Sequence, residues 1–85
     1  MPSSEKKALS ELKPGEQLVI TDLAVQGTMR RRLLDLGFIP GATVTMLRKS
    51  PLGDPAAFSV NRTAIALRKE ESYQIFGILT RQESG

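Results

Sequence analysis

The sequence predicts a mostly β fold, a small barrel of about five short strands with one α-helix inserted between the first and the second. Three observations carry this. Apolar and β-branched residues come in short runs broken by Gly, Pro and Asn turn signals. One stretch of the chain carries a helical apolar period. The length, 85 residues, suits one domain and not two. A domain of this size buries only about 60–65% of the surface its unfolded chain exposes, so strands this short are best satisfied by closing on themselves.

The elements follow in order. Residues 1–7 are expected as a lead-in without regular structure, residues 8–80 as one domain and residues 81–85 as a polar tail. Ala8 to Leu12 reads as one helical turn or a short edge segment. Lys13-Pro14-Gly15-Glu16 is a turn, with proline setting φ and glycine accepting positive φ. Gln17 to Thr21 reads as the first strand. Thr28 is the expected N-cap of the helix. Met29, Leu33 and Leu36 recur at i, i+4 and i+7 and mark its buried face. Gly37 is its expected C′ glycine, with Phe38 folding back on Leu33.

After the Pro40-Gly41 turn, Thr43 to Leu47 reads as a strand and Lys49 to Pro55 as a loop. Ala57 to Val60 and Thr63 to Leu67 pair across a tight Asn61-Arg62 turn, since Asn tolerates the left-handed region. Lys69 to Ser72 is one helical turn. Tyr73 to Leu79 closes the sheet. Phe38, Phe58, Tyr73 and Phe76 are all expected in the core.

Composition excludes several chemistries. The chain has no cysteine, so disulfides, thiolate metal sites and cysteine nucleophiles are absent together. It has no histidine, which removes the commonest general base and transition-metal ligand. No serine has a base to activate it, and no Gly-rich phosphate cradle occurs. The carboxylates are scattered and read as solvated surface groups, with no spacing that promises a hard-cation site. No metal, cofactor or catalytic residue is therefore assigned, and a binding or accessory module is predicted rather than an enzyme. No apolar run approaches the roughly 20 residues that span a bilayer. The polar start has no apolar stretch behind it, so a secretory signal is not expected, and the expected location is the cytoplasm.

The formal charge is +3, a mild bias. Arg30-Arg31-Arg32 lie on the helix, and Arg48-Lys49 and Arg68-Lys69 flank the strands. Read functionally, they form a basic surface for an acidic partner or a nucleic acid; read plainly, they are a solvated helix face with Arg31 paired to Asp35. Scarce aromatics leave none for base stacking, and nucleic acid is not an expected partner. The loop Ser50-Pro51-Leu52-Gly53-Asp54-Pro55 carries two prolines and a leucine that a spacer would not need. Leu52 is either an exposed contact for a partner or a lid folded on the barrel.

Several stretches together resemble a known family. Arg32-Leu33-Leu34-Asp35-Leu36-Gly37-Phe38-Ile39-Pro40-Gly41 is similar to its helix and turn, and Ser50 to Pro55 to its signature loop. Ile65 to Glu71, with Ile75, is similar to its closing strands. The resemblance is to FeoA, ferrous iron transport protein A, from about Glu11 to Leu79. It implies an SH3-like barrel and an accessory role in ferrous iron uptake. The implied partner is the membrane transporter FeoB, met through its cytosolic GTP-binding portion. On that basis Arg30, Arg31, Leu33, Leu34, Leu52 and Asp54 are the expected contact residues. Arg62 departs from the pattern, standing where many relatives have glycine in the hairpin.

The alternative is a metal-binding or metal-sensing module, since a similar barrel forms the C-terminal domain of iron- and manganese-dependent repressors. No helix-turn-helix precedes the barrel here, which disfavours a repressor. Small barrels of this kind can associate through their edges, so a weak homo-oligomer stays open.

Overall fold

The computed structural model describes residues 6–81. The elements are β1 (Lys6–Ala8), a 3-10 turn (Leu9–Glu11), β2 (Gln17–Leu23), α1 (Gly27–Leu36), β3 (Thr43–Lys49), β4 (Ala56–Val60), β5 (Thr63–Leu67), α2 (Lys69–Ser72) and β6 (Ile75–Arg81). All strand pairs are antiparallel, in the order β1-β6-β2-β3-β4-β5. β1 and β5 are the two edges. The 3-10 turn that follows β1 packs on α2, which follows β5, so the sheet is curled on itself. Its inner face joins Leu18, Ile20, Val44, Met46, Phe58, Val60, Leu67 and Ile75 in one apolar cluster with Leu9, Leu12, Leu33 and Phe38.

The turn chemistry explains how the chain reaches this order. α1 ends in a Schellman motif: Gly37 takes φ 111°, its N–H donates to the Leu34 carbonyl, and the Phe38 N–H donates to the Leu33 carbonyl, both at 3.0 Å. The chain then returns to the strand it left. The Gly41 N–H donates to the Ile20 carbonyl at 2.7 Å, and the Ile20 N–H to the Ala42 carbonyl at 2.9 Å. β2 and β3 are therefore neighbours although a helix separates them in sequence. At the other hairpin Val60 faces Thr63 across a two-residue turn, and Asn61 and Arg62 both adopt positive φ, 52° and 62°.

Several expectations need correction. The described residues form six strands where about five were expected, because Lys6–Ala8 pairs with Phe76–Ile78. Lys6 and Lys7 thus belong to the sheet; Met1 to Glu5 and residues 82–85 of the expected tail lie outside the described residues. The edge segment expected within Ala8 to Leu12 lies earlier, at Lys6–Ala8, and Leu9–Glu11 forms the helical turn, because so short a strand is fixed only by its partner. β6 likewise continues through Thr80 to Arg81. The N-cap of α1 is Gln26, without a side-chain hydrogen bond, and Thr28 lies inside the first turn. Gly27 takes φ 69° and is the first helical residue, so the helix starts two residues earlier than expected. Phe38 and Phe58 are fully buried as expected, and Phe76 is half-buried. Tyr73 is 52% exposed, because it terminates α2 outside the closing strand.

Candidate functional site

Four glutamate and aspartate side chains that read as solvated surface groups instead hold the backbone. Glu11 Oε1 accepts the Ala8 N–H at 2.8 Å, Glu16 Oε1 accepts the Lys13 N–H at 2.8 Å, and Glu71 Oε1 accepts the Arg68 N–H at 3.0 Å. Each carboxylate reaches back three residues to satisfy a donor that the turn leaves free, the glutamate half of a capping box. Asp54 does the same from a distance, its Oδ1 accepting the Lys69 N–H at 2.9 Å. Glu16 and Glu71 are buried.

Glu71 does more than cap. Its Oε2 accepts from Arg32 Nη1 at 2.7 Å, with the glutamate side chain 8% exposed and the arginine 60%. A carboxylate this buried needs its charge-assisted partners, since an unpaired buried charge is costly. α2 is thereby tied to α1 through Glu71 and to the 50–55 loop through Lys69. Neither helix propensity nor spacing announces this four-residue element as a clasp. The signal available was Glu71 standing three residues after Arg68, at the N3 position.

The six expected contact residues separate into two groups. On α1, Arg30, Arg31 and Leu34 line one groove of about 370 Å³ together with Gly27 and Asp35. Arg30 also donates from Nη1 to the Leu23 carbonyl at 3.2 Å, fixing the helix against the end of β2. Arg31 is exposed, and among the described residues no ion pair joins it to Asp35. Leu33 does not belong with them. It is fully buried in the core, because the i, i+4, i+7 face it shares with Met29 and Leu36 packs inward.

Leu52 and Asp54 form the second group, on a cavity of about 180 Å³ whose floor includes Phe58 and Leu67. The loop is closed by the Ser50 N–H donating to the Pro55 carbonyl at 3.0 Å and the Gly53 N–H donating to the Ser50 carbonyl at 2.8 Å, and the Asp54–Pro55 peptide is cis. Leu52 is 94% exposed, so it points outward and is not folded on the barrel as a lid. Among the described residues no group of three or more carboxylates converges as a metal site would require, and no helix is long and apolar enough to cross a membrane.

Comparison with known proteins agrees with this architecture. A curated relative, an Fe(2+) transport protein A/Fe(2+) transporter FeoB fusion protein of Porphyromonas gingivalis, is 37% identical over 67 residues. The match covers 79% of this chain and only 8% of that much longer protein. The solution structure of a FeoA protein from Chlorobium tepidum superposes with a TM-score of 0.79 at 40% identity, covering 91% of this chain and 74% of that one. A FeoA from Stenotrophomonas maltophilia, solved in complex with zinc and described as a prokaryotic SH3 domain protein, superposes with a TM-score of 0.71 at 31% identity over 86% of this chain and 88% of its own. The curled sheet is thus an SH3-like one. A manganese-dependent transcriptional repressor shares the fold alone, with a TM-score of 0.81 at 11% identity over 94% of this chain and 45% of that one. The FeoA domain model matches residues 7–78, from the edge strand β1 into β6. Family model, relatives and helix-turn geometry coincide, and the chain belongs to the FeoA domain family.

Proposed function

We propose that this protein is a cytoplasmic accessory of ferrous iron uptake that docks on the cytosolic GTP-binding portion of FeoB and modulates transport. The observation that carries this reading is the Porphyromonas gingivalis relative, in which a matching segment and the FeoB transporter are parts of one polypeptide. Two domains joined in one chain are held at high effective concentration, as separate docking partners would need to be. The contact surface on this reading is the α1 groove, Arg30, Arg31 and Leu34, together with the exposed Leu52 of the loop. Asp54 acts indirectly, holding the loop to α2 through the Lys69 N–H.

The test is co-purification with the cytosolic domain of FeoB in its GDP, GTP-analogue and empty states. The expected outcome is binding by the unaltered chain, loss of at least tenfold in affinity on reversing both Arg30 and Arg31 to glutamate, and a smaller loss for Leu52→Ala. No binding in any nucleotide state removes the partner. Binding that all three substitutions leave unchanged moves the contact elsewhere.

A second reading, direct metal binding or sensing, draws support from the zinc found in the Stenotrophomonas maltophilia FeoA and from the repressor-like fold. It has less support in this chain, where no donor cluster assembles among the described residues. Anaerobic calorimetry with ferrous iron and manganese decides it: heat at sub-millimolar metal supports it, and its absence removes it.

A further inference from the structure

The two edges of the sheet are guarded unequally. β1 carries Lys6 and Lys7. Charged side chains on an edge strand discourage another strand from adding there. β5, Thr63-Ala64-Ile65-Ala66-Leu67, has no charge and no proline, and its pairing with β4 runs without a register shift. Among the described residues no strand lies beyond it.

Its register shows which backbone groups are free. Val60 and Thr63 close a two-residue hairpin, so they exchange both hydrogen bonds, as do the alternate pairs Phe58–Ile65 and Ala56–Leu67. The N–H and C=O of Ala64 and Ala66 therefore point away from β4. Both residues are exposed, and their methyl side chains leave room for a neighbouring backbone.

Charge says what would occupy this edge. Arg62 and Arg68 bracket β5, and among the described residues neither has an ion-pair partner. Between Gly37 and Lys69 the chain holds five basic residues (Arg48, Lys49, Arg62, Arg68 and Lys69) and one acidic residue, Asp54, whose Oδ1 is taken by a backbone N–H. A second copy of this chain fits poorly. Antiparallel pairing of two β5 strands over their full length, centred on Ile65, sets Arg62 of one copy against Arg68 of the other, and like charges directly opposite destabilise a sheet.

We propose that the β5 edge receives an extended acidic segment of another protein, which adds as a further antiparallel strand. Its backbone pairs with Ala64 and Ala66, and its carboxylates, six residues apart, face Arg62 and Arg68. The proposal does not depend on which transporter or partner the α1 groove meets.

The test is an amide NMR titration of the full chain with the peptide acetyl-Glu-Val-Thr-Val-Thr-Val-Glu-amide and its counterpart with lysine at both ends. The glutamate peptide is expected to shift the Ala64 and Ala66 amides most, and to bind at least tenfold more tightly than the lysine peptide. Arg62→Glu with Arg68→Glu is expected to reverse that preference, with amides on β1, β2 and β6 unmoved as the check on folding. Ala66→Pro removes an outward donor without touching the β4 pairing and is expected to weaken binding at least tenfold. The proposal is overturned if neither peptide moves these amides at millimolar concentration, or if both bind equally. It is also overturned if β5 amides broaden with protein concentration alone, which means self-pairing, or if a single-stranded oligonucleotide shifts them in place of the peptide.

Discussion

In the half of the sheet formed by β1, β6 and β2, the strands crowd one another. A Cβ on Gly77 would run into the Val19 carbonyl and the Leu18 side chain, and the β2–β6 pairing shifts register at Gln17/Leu18 and again at Ile20/Asp22. Lys6 pairs with Asp22 at 2.9 Å and lies 5.6 Å from the centre of the Phe76 ring. In the half formed by β3, β4 and β5, the strands carry no acidic residue, the β4–β5 pairing is regular, and the one register shift, at Met46/Arg48, leaves Leu47 exposed. The first half holds the close backbone contact and two of the register shifts. The second carries no acidic residue and ends in the exposed residues of β5. A substitution that adds volume should be severe in the first half and mild in the second.

The largest expected effect is at the centre of the crowded half. Gly77→Ala places a methyl group where the Val19 carbonyl already is, and neither backbone can move without parting β2 from β6. Overpacking of this kind costs about 3 kcal/mol or more, a large share of what a domain this size possesses. Urea denaturation of the variant is expected to show a collapsed midpoint. A midpoint near that of the unaltered chain would mean that the two halves are equally tolerant.

Next is the clasp that joins the halves. Glu71→Ala removes the acceptor of both the Arg68 N–H and the Arg32 guanidinium, and is expected to destabilise by about 2 kcal/mol. Arg32→Ala is expected to cost less, because its side chain is mostly exposed, and the double variant less than the sum of the two. Strict additivity in that cycle would show that the two side chains act independently.

On the regular half the expected sign reverses. Arg62 sits at φ 62°, which a side chain resists and glycine does not. Arg62→Gly is expected to stabilise the chain by up to about 1 kcal/mol, net of the extra freedom glycine has when unfolded. A lower midpoint would show that the arginine makes a compensating contact.

The smallest effect is electrostatic. The Lys6 ammonium, with help from the Thr21 hydroxyl, holds the Asp22 carboxyl below the usual carboxylate range. A depressed folded-state value means that the contribution is present above the ordinary carboxylate value of about 4 and fades as pH falls through the folded one. The stability difference between the unaltered chain and Asp22→Asn is therefore expected in full at pH 6 and expected to shrink steadily as pH falls below the ordinary carboxylate value. A difference that persists in acid would assign the effect to something other than charge.

Much of the fold was legible because it rests on local rules. Gly37-Phe38 after an i, i+4, i+7 stripe predicts the Schellman end, and Asn61-Arg62 between two short apolar runs predicts the tight hairpin. Of the residues expected as a contact surface, Arg30, Arg31 and Leu34 line one groove and Leu52 faces outward, placements that helical spacing and a proline-bounded loop make readable. Leu33 counts among the expected contacts although its i, i+4, i+7 spacing with Met29 and Leu36 already marks the buried face, and the structure holds it in the core. Tyr73 was misplaced because burial depends on where α2 stops.

By itself the sequence determined the strand and helix pattern, the turn positions, the absence of thiol and imidazole chemistry and the family, all of which depend on residue type and near-neighbour spacing. Only the tertiary structure decided that Lys6–Ala8 is a strand, that Gly77 is a contact point, that Glu71 and Asp54 hold α2 in place, and that β5 is an edge with no strand beyond it among the described residues. Each of these is a relation between residues far apart in the chain. A three-residue strand, a missing Cβ or a buried carboxylate acquires its energy from a partner that no local pattern names.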